Sequence, residues 1–83
     1  MSAHIHDNVA WSRETPTISV LIPFLRDDPQ ELLRQLDTEA PALVGAVELI
    51  LLDDGTADPD LTQQLQTTID TLRLPVRLIN LAA

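Results

Sequence analysis

The sequence predicts an α/β domain, a parallel β-α-β-α-β Rossmann-like sheet, and three observations carry that expectation. Three short apolar runs are rich in branched residues and too short for helices. Two segments with helix-start signals and apolar residues at helical spacing lie between them. The runs are close to continuously apolar rather than alternating, the pattern of strands covered on both faces in a parallel sheet. Each crossover is then expected to be right-handed.

The first run, Ile18-Ser19-Val20-Leu21-Ile22, is ended by Pro23. Asp28-Pro29-Gln30-Glu31 opens a helix: Asp28 can accept from a free first-turn N–H, Pro29 suits the first helical position, and Glu31 completes a capping-box spacing. Leu32, Leu33 and Leu36 form its apolar stripe, and Pro41 stops it by pushing Ala40 away from helical angles. Val47-Glu48-Leu49-Ile50-Leu51-Leu52 is the second strand, and Asp53-Asp54-Gly55-Thr56 the turn after it. Asp58-Pro59 repeats the cap-plus-proline device. Leu61, Leu65, Ile69 and Leu72 then fall on one helical face. Pro75 ends that helix, and Val76-Arg77-Leu78-Ile79 is the third strand. Residues 1–17 show no period and read as a flexible leader, leaving 18–83 as the domain. Three strands and two helices are thin for this class, so the chain is expected to be the first part of a larger sheet.

Five Arg, no Lys and thirteen acidic residues give a net charge of −8. So acidic a chain has no electrostatic footprint for nucleic acid or for an anionic membrane surface. It has no Cys, which excludes disulfides and thiolate metal sites. An apolar fraction of 45% is too high for a disordered tail. Trp11 and Phe24 are its only aromatic residues, too few for a base-stacking surface. The longest apolar stretch, Ala42 to Leu52, is interrupted by Glu48 and falls well short of the ~20 residues that cross a bilayer. No basic region precedes an apolar run at the N-terminus, so a cytoplasmic location is expected.

In an open parallel sheet, ligands bind beyond the carboxyl ends of the strands. Asp27, Asp28, Asp53 and Asp54 gather on that rim. Asp28 is most simply the helix cap and Asp27 a solvated loop residue. Asp53-Asp54-Gly55 can be an ordinary turn, since Asp and Gly tolerate its dihedrals. It can also be a site, because two adjacent acids straight after a buried strand put one of them near the apolar end of the sheet. His4-x-His6 has no third metal ligand nearby and reads as a chance pair; Trp11 reads as a leader residue resting on the surface. Asp58-Pro59-Asp60 reads as a cap, not a metal motif.

Ile18-Ser19-Val20-Leu21-Ile22-Pro23-Phe24, with Val47-Glu48-Leu49-Ile50-Leu51-Leu52-Asp53-Asp54-Gly55-Thr56 following, resembles the opening of the family 2 glycosyltransferases. Those are inverting enzymes of GT-A fold that use nucleotide-sugar donors. The resemblance spans residues 17–80 and makes the chain the N-terminal portion of such a fold. It implies that Pro23, Phe24, Leu25 and Arg26 line the nucleotide pocket, that Asp54 accepts the imide N–H of uracil, that Asp53 supports the loop, and that Gly55 lets the backbone turn beside the ligand. The donor is thereby expected to be UDP-linked. A carboxylate suits that task, being a good acceptor for N–H and a poor neighbour for a diphosphate.

Leu25-Arg26 replaces the Tyr-Asn-like pair of the family, so a stacking Tyr is missing; Arg26 is either a surface residue or a contact for a donor phosphate. Thr56 replaces the usual Ser. The family's Asp-x-Asp motif for Mg or Mn and its catalytic acid lie downstream of the third strand and are not in this chain, so no turnover by it alone is expected. The alternative is a non-enzymatic, receiver-like α/β module holding Mg at an acidic rim. Its acidic pair belongs after the first strand, where Pro23-Phe24-Leu25-Arg26 stands instead. A truncated product without a function of its own is the third possibility. With no further strand beside it, Ile18 to Ile22 is an apolar edge expected to drive self-association or to leave the fold marginally stable.

Overall fold

The computed structural model describes residues 3–11, 18–25, 27–39, 47–55 and 58–81. Within them the chain runs β1 (Ala3–Asp7), β2 (Ile18–Phe24), α1 (Gln30–Thr38), β3 (Val47–Asp53), α2 (Pro59–Asp70) and β4 (Val76–Leu81). The strands form one four-stranded sheet in the order β1-β4-β3-β2. β2, β3 and β4 are parallel neighbours, and β1 adds to the outer edge of β4 antiparallel.

The expectation of a wholly parallel sheet is corrected by β1, and so is the reading of residues 3–7 as a flexible leader. Its alternation is between Ala or Ile on one side and His on the other, a pattern without an apolar period. Its partner is almost a whole chain length away, so nothing local marks it as a strand. Asn8 then fixes the turn after it. This 4% exposed side chain donates to the carbonyls of Ile69 (2.8 Å) and Leu74 (2.9 Å) and accepts from the N–H of Val76 (3.0 Å). The end of α2, its connection to β4 and the N-terminal strand are thus held by one buried amide with its polar atoms satisfied. On the other sheet face Arg77 grips Asp7 through two bonds of 2.7 and 3.0 Å and lies 4.5 Å from the Trp11 ring centroid. The hydrogen bonds it donates to Asp7 raise the Arg77 pKa above its ordinary value. Trp11 is half-buried by that stacking.

β2 runs two residues further than the sequence predicts, through Pro23 to Phe24. An edge strand tolerates this, since a proline need supply no ladder N–H on its unpaired side. α1 begins one residue late. Pro29 occupies the cap position and its carbonyl receives the Leu33 N–H at 3.0 Å, while the Asp28 carboxylate still takes the N–H of Gln30 at 3.0 Å. α1 ends at Thr38; Ala40 and Pro41 lie outside the described residues. α2 starts as its sequence dictates, with Asp58 accepting from the N–H groups of Asp60 and Leu61, both at 3.1 Å, and Pro59 in the first turn.

Both crossovers step in the same direction across the sheet, and a shared handedness puts both helices on one face. Leu33 of α1 and Leu65 and Ile69 of α2 bury against Leu49 and Leu51 of β3 and Val76 and Leu78 of β4. Asp37 ties the end of α1 to the turn after α2, accepting from the backbone N–H groups of Arg73 and Leu74. β2 stands at the open edge, with Ile18, Val20 and Leu21 exposed at 55, 36 and 59%.

Replacing Asn8 by Ala strands the Leu74 carbonyl and the Val76 N–H, while the Ile69 carbonyl keeps the Leu72 N–H at 3.2 Å, and is expected to cost about 2–4 kcal/mol. Urea unfolding followed by circular dichroism measures it; a loss below about 0.5 kcal/mol, the scale of an ordinary surface change, overturns the clamp.

Candidate functional site

The carboxyl ends of the parallel strands are aligned by register. Phe24 pairs with Asp53, Asp53 with Asn80, and Asn80 with His4, so one row of residues crosses the sheet at its rim. Strand parity puts this row on the helix-facing side. Leu49, Leu51 and Asp53 follow one another at every second position, the first two wholly within the core and the third 4% exposed. A carboxylate there must be paired, and the Asn80 amide donates to it at 2.9 Å.

Asp54, the next residue, leaves the ladder and exposes its side chain. Its N–H donates to the Phe24 carbonyl at 3.0 Å, which joins the end of β2 to the acidic turn. Gly55 follows with φ of 93°, a left-handed conformation that a β-carbon disfavours, and this residue type permits the turn to leave the sheet there.

Beside this rim lies a cavity of about 890 Å³ between the first turns of α2 and strand β1. Asp53, Asn80 and His4 contribute to it from the sheet, and Asp58, Thr62 and Gln66 from the helix side. The Oδ1 atom of Asn80 is buried and has no hydrogen-bond partner, while Nδ2 of the same amide is committed to Asp53.

The residues singled out from the sequence therefore part company. Asp53 lines the cavity; Asp54 does not and faces solvent at the rim. The Phe24 side chain belongs to the core at 8% exposure, and its contribution to the rim is its carbonyl. Pro23 and Leu25 are exposed, and Arg26 and Thr56 lie outside the described residues. Asp27 is exposed, and Asp28 is taken up by Gln30, whose backbone and side-chain nitrogens both donate to it. His6 meets Asp70 at 2.9 Å instead of sharing a ligand with His4. Among the described residues no cluster of three His, Cys, Asp or Glu could hold a metal ion. No helix among them is long and apolar enough to cross a membrane.

His4, Asn80, Thr62 and Gln66 were not legible as site residues. Asn80 follows from the sequence only once β3 and β4 are placed in register, and His4 only once β1 is known to pair with β4. Thr62 and Gln66 sit one helical turn apart on α2, and their polar pattern is that of any solvated helix face.

No family model matches the chain, and no curated protein or solved structure is significantly similar to it.

The two aspartates are expected to differ in what they do for stability. Asp53→Ala removes the partner of Asn80 from a buried position and should cost about 2 kcal/mol. Asp54→Ala should change stability by less than about 0.5 kcal/mol, as exposed substitutions do. Equal costs in paired urea titrations would refute the division of roles.

Proposed function

We propose that the chain is the nucleotide-binding N-terminal portion of an inverting family 2 glycosyltransferase of GT-A fold, acting in the cytoplasm on a UDP-sugar-like donor. The observation that carries this reading is the 3.0 Å bond from the Asp54 N–H to the Phe24 carbonyl. It draws together the two segments on which the resemblance rests. It also leaves the Asp54 carboxylate in solvent beside the end of β2, where a nucleobase has access to it. Asp53, held by Asn80, supplies the rigid support behind that carboxylate. In the proposed complex Asp54 accepts the imide N–H of uracil in a charge-assisted bond, which discriminates against a base lacking that donor. Pro23 and Leu25 flank the ring with apolar surface.

The divalent cation of the family enters no step here. Asp58, one of the two acids of the Asp-x-Asp run, spends Oδ1 on the first N–H groups of α2. The described residues thus do not fit a metal site, and Mg or Mn would depend on ligands other than these.

Titrating the labelled protein with UDP, followed by nuclear magnetic resonance, tests the reading. Shifts centred on Asp54 and Gly55, with a Kd on the order of 0.1–1 mM and at least about tenfold weakening in Asp54→Ala, are the expected result. A folded protein whose spectrum is unchanged at several millimolar UDP refutes it.

The open edge at β2 belongs to the same proposal, because in a complete GT-A sheet this strand has a neighbour on both sides. The 83-residue chain is expected to self-associate through that edge, and Leu21→Lys, which puts a charge on an exposed apolar position, to reduce it. Sedimentation velocity over a wide concentration range is the measurement; a monomer throughout counts against edge pairing.

A further inference from the structure

We propose that the sheet face turned away from the helices is an interface, and that its occupant is the same face of a second copy of this chain. Strand parity defines the face. Ile5, Ile79, Leu52 and Pro23 form one row across all four strands, and Ile50 and Leu21 lie in the row before it. β3 shows that the face is bare, because this strand has a neighbour on each side. Its helix-facing Leu49 and Leu51 are fully buried, whereas Ile50 and Leu52, pointing the other way, stay half-buried. Both described helices pack on the opposite side. A solvated sheet face carries polar residues, and this one carries aliphatic ones across its width.

Charge selects the occupant. The chain has a net charge of −8, yet among the described residues the acids on this face are Asp7 and Glu48 alone. Asp7 is neutralised by Arg77 at 2.7 and 3.0 Å, and Glu48 takes the Ser19 hydroxyl at 2.6 Å. Glu31, Asp37, Asp60 and Asp70 stand on the helices instead. An anionic membrane gains nothing from such a chain, and a basic partner finds most of its carboxylates on the helix side. A second copy meets this face without one acidic surface being set against another.

The face also complements itself. Ile5 and Leu21, 53 and 59% exposed, stand at opposite edges of it. A twofold axis along the strands lays β1 of one copy over β2 of the other and covers both residues. The Asp7–Arg77 and Ser19–Glu48 pairs lie toward the amino ends of the parallel strands, and the apolar row lies beyond them, giving an apolar core with a polar margin. Four strands about 4.8 Å apart, each about six residues long, make a face of roughly 19 by 20 Å. Two such faces bury on the order of 1,000 Å² together, the lower bound for a specific interface, so a micromolar dimer is expected.

This contact differs from pairing at the β2 edge, and substitutions separate the two. Leu21 belongs to both. Ile18 has the helix-facing parity, so Ile18→Lys charges the edge and leaves the face alone; Ile5 is on the face and three strands from that edge. Sedimentation velocity on the 83-residue chain carrying Ile18→Lys should still show a dimer, with a Kd on the order of 10–100 μM. Adding Ile5→Lys, at a position exposed in one copy, should weaken that dimer by about tenfold or more while circular dichroism shows the fold intact. Trp11 is the only tryptophan and stacks on Arg77 of the same face, so its fluorescence should move to longer wavelength as the dimer is diluted apart. A monomer at about 1 mM in the Ile18→Lys chain, a dimer indifferent to Ile5→Lys, or Trp11 emission that ignores dissociation overturns the proposal.

Discussion

The register that lines up Phe24, Asp53, Asn80 and His4 in one row is the constraint on which the site depends. It is enforced from below. Leu49 and Leu51 in β3 and Val76 and Leu78 in β4 are fully buried against the helices, so a slip of one residue in either strand would turn each of them toward the opposite face. With the parity set by these apolar side chains, Asp53 has no choice of direction. It arrives at the core's edge as a nearly buried carboxylate, and Asn80, at the matching position of β4, is placed to answer it. The polar pair at the rim is thus a consequence of apolar packing two and four residues earlier in each strand.

Closing the sheet at β4 is a separate problem with a different solution. β4 would be an open edge without β1, and β1 has little apolar surface with which to hold itself there. Polar contacts do the holding: the Asn8 amide on three backbone groups, the paired bonds between Arg77 and Asp7, and His6 on Asp70. The exposed members of this set contribute little each, and the buried amide carries the most because its loss leaves unpaired groups in the core. The other edge, at β2, has no such cover among the described residues and keeps branched apolar side chains in contact with water.

How far the sequence discloses this depends on where the information is stored. The start of α2 is legible to the residue, because Asp58-Pro59 and the Leu61-Leu65-Ile69 spacing are local and agree with one another, whereas the helix ends at Asp70, leaving Leu72 of the expected face beyond it and well before Pro75. α1 slips by one, since the same Asp-Pro signal is met here by Asp28 bonding to Gln30 while Pro29 keeps φ −83° and ψ 7° outside the helix. β2 outruns its proline because only its place at an edge permits that, and edge position is a property of the sheet. β1 is invisible for the same reason in stronger form: its partner lies at the opposite end of the chain. The site divides along the same line. The acidic turn after β3 is plain in the sequence, whereas the cavity needs Asn80 and His4, which only strand pairing brings beside it.

Electrostatics then decides which part of a nucleotide the described rim can answer. Each described Arg is committed away from it: Arg34 bonds Gln30, Arg73 bonds the end of α1 through Asp37, and Arg77 bonds Asp7. What remains at the strand ends is carboxylate and amide, in a chain of net charge −8. A diphosphate brought to such a surface gains no attraction from these groups and loses hydration, so its charge would have to be met by groups other than these. The base and the ribose face no such penalty, since a carboxylate accepts an N–H and amides exchange hydrogen bonds with hydroxyls without any net charge being brought together. In the proposed complex, recognition by these residues is therefore recognition of the neutral half of the donor, and whatever neutralises the phosphates supplies the other half independently.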